Sequence, residues 1–313
     1  MNEARQQGSI ITRIFMRLGS SLLVLVGAVT IAFLVTRVIP GDPARAMAGP
    51  RADAATLERI RSELHLNEPL YRQLGRYLTG LARGDLGKSY ITNQPVRDAL
   101  LQRLPATLML GLTSAAIWMA IAIPLGVLTS MRPGSAFDYF VLTGATLGVS
   151  LPSFWIASFL QYELAYRTGW FPVAGFSTWR HLLLPSVTLV LIMAGYYARI
   201  VHASMTQTLS SPFIRTAAAS GVGTFRLLFV HALRNALIPV LTIFGMDLAG
   251  ILGGVALIEH VFAVPGIGML AVQAISTLDG PIILGTVVVG ATLVVLANLA
   301  VDLLYPLLDP RLR

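Results

Sequence analysis

The 313-residue chain contains no cysteine. That absence excludes disulfides, thiolate metal sites and cysteine nucleophiles together. Charge is nearly as scarce. Asp, Glu, Lys and Arg make up 12% of the residues, about half the usual share for a soluble globular protein. A soluble domain of this length needs a charged surface, and 15 acids with 23 bases supply little of one. Lysine is almost missing: Lys88 is the only one, and every other basic residue is Arg. The net charge of +8 and a calculated pI near 10.3 do not point to nucleic acid, because the bases are scattered between apolar runs and form no patch or stripe. Hydrophobic residues reach 55% and the mean hydropathy is +0.71. The composition is that of a membrane protein.

A bilayer core takes about 20 mostly apolar residues per helix. Charge-free runs of that order occur at 18–36, 104–131, 139–162, 181–198 and 280–301, and a sixth at 235–258 is interrupted only by Asp247. These predict six spans. The stretch 260–278 also lacks formal charge, but Pro265, Gly266 and Gly268 break it, and Gln273, Ser276 and Thr277 make its second half polar. It reads as an extramembrane or re-entrant segment. The first run, with a basic approach and an Ala44-Arg45-Ala46 sequence beyond it, resembles a signal peptide. Its length and the intervening Pro40–Pro43 turn favour an uncleaved anchor.

Arginines near span ends set the expected orientation. With the N-terminus inside, the cytoplasmic segments hold Arg5, Arg13, Arg17, Arg132, Arg199, Arg215, Arg226, Arg234, Arg311 and Arg313. The short outer segments hold Arg167 and Arg180, with Arg37 at a border. Both termini are expected in the cytoplasm. The chain then divides into a tail and first span (1–38), an extracytoplasmic segment (39–104) and a five-helix core (105–313) with a cytoplasmic loop at 202–235. In the outer segment Leu57, Ile60 and Leu64 carry a helical stripe over 54–64, and 71–81 is a second helix candidate. Together they suggest a helical cap. In the cytoplasmic loop, Ser210-Ser211-Pro212 is a helix start, with Pro at the first helical position. A short helix over 213–220, a Gly221-Val222-Gly223 turn and a resumed helix from Phe225 should follow.

Catalytic signatures are missing. Gly84-Asp85-Leu86-Gly87-Lys88-Ser89 imitates a phosphate-binding loop, but Ala82 stands where the first Gly belongs and no buried strand precedes it. The five histidines fall in separate segments without metal-binding spacing. We therefore expect no enzyme activity, no metal and no cofactor in this chain. Asp247, mid-span, is costly in hydrocarbon and must face protein, a cavity or a polar partner. It is either a pathway residue meeting a cationic substrate group or one end of a helix–helix hydrogen bond. Ser150, Ser153 and Tyr196 are the other candidate pathway residues. Glu163 and Asp302 lie near span ends, where structural roles are favoured. Gly250 and Gly254 form a GxxxG pair that lets helix backbones approach, within this chain or in a second subunit.

Several stretches in a fixed order resemble one family. Ile39-Pro40-Gly41-Asp42-Pro43, Gly84-Asp85-Leu86-Gly87, Leu104-Pro105-Ala106-Thr107-Leu108, Phe213–Gly221 followed by His231-Ala232-Leu233-Arg234-Asn235, Glu259–Phe262 with Pro265-Gly266-Ile267-Gly268, and Asn298–Tyr305 with Asp309-Pro310-Arg311 are similar to the inner-membrane permease subunits of ATP-binding-cassette importers for dipeptides, oligopeptides and nickel. The resemblance covers essentially the whole chain. It implies an all-α, six-span, type I importer permease fold and a non-catalytic subunit forming half of a pathway for peptides. Nickel or glutathione is the alternative cargo, and a stand-alone secondary transporter is the alternative class. It also implies three kinds of partner: a second homologous permease, two ATPase subunits and an extracytoplasmic solute-binding protein. In such a protein Phe213, Ile214, Arg215, Thr216, Ala217, Gly221, His231, Arg234 and Asn235 couple to the ATPase, and Gly41, Asp42 and Pro43 face the binding protein. Ala218 and Ser220 stand where the peptide subgroup usually has basic residues, and Pro212 where it has an acid. Those changes remove charge from the coupling surface.

Overall fold

The computed structural model describes residues 2–38, 43–49, 51–252 and 255–308, with backbone alone for 2–18, 38, 46 and 302–308. The described residues are almost entirely helical. In chain order the helices are α1 (Asn2–Val38), α2 (Pro43–Ala48), α3 (Ala54–Glu63), α4 (Leu70–Ala82), α5 (Val96–Met131), α6 (Ala136–Ser150), α7 (Ser153–Leu160), α8 (Arg180–Leu209), α9 (Pro212–Ala219), α10 (Thr224–Arg226), α11 (Leu233–Leu252), α12 (Ala256–Val261), α13 (Ile267–Ser276) and α14 (Gly280–Leu308). Wide π turns extend α7 over Gln161–Arg167 and join α10 to α11 over Leu227–Ala232.

Among the described residues, five helical stretches are long and apolar enough to cross a membrane: Gly19–Arg37, Val96–Met131, Arg180–Leu209, Thr224–Leu252 and Gly280–Val301. The sixth expected span is a bent pair. Its halves, Ala136–Ser150 and Ser153–Arg167, meet at 100°. Pro152 is the cause: its ring crowds the preceding residue out of the helical region, and Leu151 is extended at φ −88°, ψ 139°. Pro105, Pro124, Pro185 and Pro239 lie inside α5, α8 and α11 without ending them. Hydroxyls along these helices bond back to their own backbone, as Ser114 does to Leu110 O and Thr188 to Leu184 O. That spares the apolar surroundings an unsatisfied polar group.

The chain forms two compact units, residues 1–104 with 270–295, and 105–269 with 296–313. In the first, Asp53 caps α3 by accepting from Thr56 N at 3.0 Å, and hydrogen bonds from Thr56 hold its carboxyl below the ordinary range. Gln73 of α4 donates to Leu66 O and Glu68 O, at 3.2 and 2.7 Å, tying down the α3–α4 turn. Phe33 of α1 stacks on Tyr77 of α4 at 6.3 Å. Gly84 and Gly87, with positive φ, shape a turn in which Asp85 Oδ1 accepts from Gly87 N. The segment imitating a phosphate-binding loop is this turn. Beyond it Ser89 donates to the Asp279 carboxylate and Tyr90 N to Asp279 Oδ1. The expected helices at 54–64 and 71–81 are present as α3 and α4.

In the second unit, α5, α6, α8 and α11 enclose a core that includes Trp118, Tyr197, Val201 and Met205. Side chains at Gly148 and Gly195 would collide with backbone of α8 and α6 respectively, so these two helices touch through glycine. A second cluster gathers Leu110, Leu184, Ile258 and Phe262. The 260–278 stretch is broken as expected, into the end of α12, a turn and α13. Glu259 is buried to 0% exposure there. Its carboxylate accepts from Thr107 Oγ1 at 2.7 Å and from Met269 N at 2.8 Å, and Thr107 Oγ1 accepts from Ile267 N. An anion thus caps the first turn of α13, where the helix dipole favours it.

Candidate coupling helix and polar pathway

The cytoplasmic candidates converge on α9. Ser211 precedes it in extended conformation and Pro212 occupies its first turn, where a missing N–H costs nothing. Ile214 is 4% exposed and belongs to the core that holds Met205, Leu228 and Ala232. That single anchor turns the rest of the helix outward: Phe213 is 48% exposed, and Arg215, Thr216, Ala218 and Ala219 are exposed as well. Ala217 is half-buried.

The helix ends at Ser220, and Gly221 follows at φ +81°. Gly221 N bonds to Ala218 O and Val222 N to Ala217 O, at 3.1 and 3.3 Å. This paired pattern around a left-handed residue is a Schellman cap. Gly221 therefore sets the direction in which the chain leaves α9. The expected helix over 213–220 lies one residue earlier, and the turn stands at its expected place. His231 lies half-buried in the π turn that packs on α9. Arg234 and Asn235 are exposed at the start of α11, with Asn235 Nδ2 bonded to His231 O at 2.8 Å. All nine coupling candidates are on α9, its cap and the helix start beyond.

Two further exposed aromatics follow the Gly221–Gly223 turn. Phe225 is 74% exposed, and its ring lies 4.7 Å from that of Phe229. Two aromatics at i, i+4 just after a glycine turn were the available signal. It was hidden among the apolar residues leading into the next span.

The membrane candidates separate. Asp247 is half-buried and accepts a hydrogen bond from Tyr197 of α8 at 2.7 Å. Tyr197 is stacked with Trp118 and meets Tyr196 and Phe244 edge-on. Trp118 is fully buried, and its Nε1 has no acceptor among the described residues. Asp247 and Tyr196 thus share one aromatic cluster. Ser150 and Ser153 flank the Pro152 bend, where Ser150 bonds back to Thr146 O, and no described contact joins them to Asp247. Glu163 pairs with Arg167 at 3.0 Å; the side chain of Asp302 lies outside the described residues. So do Gly41 and Asp42, while Pro43 opens α2. A side chain added at Gly250 would meet nothing within 4 Å, and Gly254 is outside the described residues.

A pairing the sequence did not suggest joins His202 of α8 to Asp138 of α6, with Nδ1 3.4 Å from the carboxylate and 3.1 Å from Thr129 Oγ1. Among the described residues no group of three His, Asp or Glu side chains is placed to hold a metal.

Comparison with known proteins fits this layout. Residues 122–313 match the model of the binding-protein-dependent transport system inner membrane component, and residues 10–111 match the corresponding N-terminal model. A putative peptide transport system permease of Brucella abortus is 40% identical over 96% of this chain and 98% of its own length. An oligopeptide transport system permease of Bacillus subtilis is 36% identical over 94% and 96%. A glutathione transport system permease of Escherichia coli is 37% identical over 90% and 92%. Among solved structures, an inward-facing MetNI methionine ABC transporter chain aligns with a TM-score of 0.53 and 19% identity, over 67% of this chain and 96% of that one. That likeness speaks to fold. The chain belongs to the family of inner-membrane components of binding-protein-dependent transport systems, and its fold is that of an ABC importer permease.

Proposed function

We propose that the chain is one of two homologous permease subunits forming a pathway for di- or oligopeptides. Two ATPase subunits drive it and an extracytoplasmic solute-binding protein delivers the cargo. Both termini lie in the cytoplasm, which places α9 on the ATPase side. The chain itself catalyses no reaction and carries no cofactor. The observation that carries this reading is the construction of α9: a short helix held by one buried residue, Ile214, with an aromatic and a cation presented outward and its exit direction set by Gly221.

A ligand or partner shifts a conformational equilibrium only by its differential affinity for the two states. ATP-driven closure of the ATPases supplies that difference. Phe213, Phe225 and Phe229 offer a large apolar contact, and Arg215 adds charge complementarity. Displacement of α9 passes through Ile214 into the core around Met205 and Val201, and so to α8, which carries Tyr197 and its bond to Asp247. The spans then alternate between inward-open and outward-open. Gly250, open to approach, suits packing against the second permease. Peptide as cargo rests on the relatives' names; the aromatic cluster with its carboxylate suits a peptide's cationic amino terminus.

The test is uptake by the reconstituted importer, using labelled dipeptides, longer peptides, glutathione and nickel in parallel. ATP-dependent peptide uptake supports the proposal. Uptake without the ATPases would instead assign the chain to the stand-alone transporters.

A further inference from the structure

The first unit contains a half-open cavity of about 380 Å³ that the transport cycle proposed above does not use. It lies at the membrane boundary, where the first span ends in Arg37 and the last begins at Gly280. Phe33, Leu278, Ile283 and Leu284 form its apolar floor, and Arg37, Arg76 and Lys88 stand among the polar residues of its wall.

Arg76 is neutralised by Glu68, to which it bonds at 2.8 and 2.9 Å. Asp85 is the one acid in the lining. Arg37 lies over the Phe33 ring, 5.2 Å from its centroid, and acts electrostatically on Tyr90. No carboxylate lies within ion-pair distance of Arg37 or Lys88 among the described residues. The buried Asp279 carboxylate, bonded to Ser89 and Tyr90 N, balances the formal charge of the wall, and Arg37 and Lys88 remain the two cations that a phosphodiester can meet.

The wall is also incomplete in hydrogen bonds. Gln73 is 8% exposed, and with its amide nitrogen committed to Leu66 O and Glu68 O, its Oε1 has no partner among the described residues. The same holds for the Tyr77 hydroxyl. Burial pushes that phenol up to about 12, so it stays protonated. Buried polar atoms without partners are rare in folded proteins, and these two sit side by side along α4.

A group that fits must be amphiphilic, carry a phosphate for the two cations and bring a hydrogen-bond donor for Gln73. We propose that the cavity holds one glycerophospholipid from the leaflet on the 39–104 side. Its phosphate lies toward Arg37 and Lys88, its headgroup ammonium or hydroxyl toward Gln73 and Tyr77, and its acyl chains leave past Phe33 and Leu284. Arginine and lysine side chains make charge-assisted hydrogen bonds to phosphate oxygens. The cargo is a poorer occupant, because the floor of Phe33, Leu278, Ile283 and Leu284 is apolar.

The experiment uses the full chain in its assembled importer. After delipidation, binding of phosphatidylethanolamine and phosphatidylglycerol is measured by native mass spectrometry, with diacylglycerol, inorganic phosphate and a tripeptide as the other probes. The expected result is about one phospholipid per chain, with affinity reduced roughly tenfold by Arg37→Gln and by Lys88→Gln. Tyr77→Phe, which keeps the ring on Phe33 and so preserves the fold, should weaken binding severalfold. Diacylglycerol should bind poorly, and neither phosphate nor peptide should displace the lipid. Equal binding by wild type and all three variants would overturn the proposal. So would displacement by millimolar phosphate, which means an anion site, or by the tripeptide, which means a cargo site. None of these results depends on ATP-driven uptake, so failure here leaves the transport reading intact.

Discussion

At Glu259 a carboxyl group is buried at 0% exposure, where it accepts from Thr107 Oγ1 and Met269 N, and a buried polar group is tolerable only when it is hydrogen-bonded. Replacing it with Gln puts an amide donor where Thr107 or Met269 N now finds an acceptor. Glu259→Gln should cost about 1–3 kcal/mol and lower the melting temperature of the purified protein. Glu259→Ala should cost more, because it strands two donors. An unchanged melting curve would mean the carboxylate is not what holds α13. Gly266 next to it must stay small, since a Cβ there would overlap that carboxylate. Asp247 allows a different separation. Asp247→Asn keeps an acceptor for Tyr197 and removes the charge, so the fold should persist while uptake of peptides with a free amino terminus falls at least roughly tenfold, the scale of one charge-assisted contact. Normal uptake would reduce Asp247 to a helix–helix hydrogen bond. Both sites rest on partners far away in sequence: Thr107 for Glu259 and Tyr197 for Asp247. No periodicity could announce them. The acids themselves were legible, because a carboxylate in an apolar run is conspicuous.

Among the elements, α9 was legible nearly to the residue, because Pro212 and Gly221 punctuate it at both ends. Its Schellman cap makes a second prediction. A Cβ in the left-handed region costs roughly 1–2 kcal/mol, and open space surrounds Gly221, so nothing but backbone strain opposes a side chain there. Gly221→Leu should leave the protein folded in the membrane yet lower ATPase co-purification, because the chain must leave α9 at another angle. The same variant with wild-type ATPase retention would mean the cap is not part of the docking geometry. The third apolar run shows the opposite case. Tyr139–Tyr162 reads as one span by composition, and composition does not register that Pro152 forces Leu151 out of the helix. Pro105, Pro124, Pro185 and Pro239 are accommodated within helices, so the residue type alone does not decide; here a break of two residues separates α6 from α7. Pro152→Ala should straighten the junction, increasing the distance between spin labels placed on α6 and α7. An unchanged distance would place the cause of the bend elsewhere. The Phe225–Phe229 pair escaped notice for a related reason: in a chain that is 55% hydrophobic, a surface aromatic resembles the span beside it until its exposure is known.

For the whole molecule, the scarcity of charge proved the most informative feature, because it left so few residues to carry orientation and coupling. The excess of arginine near one set of span ends predicts that both termini are cytoplasmic. The absence of native cysteine makes this directly measurable, since single cysteines introduced at positions 5, 167 and 215 are the only thiols a reagent can find. Residues 5 and 215 should react only after the membrane is permeabilised, and 167 from outside. Transmission of ATPase closure to the pathway is the role proposed for α9. It is tested most directly by ATP-driven peptide uptake in proteoliposomes containing the complete importer with Arg215→Glu, compared with wild type. Uptake should fall at least roughly tenfold, with the binding protein still docking and the permease still folded. Undiminished uptake and ATPase retention would contradict the assignment of this helix as the coupling element.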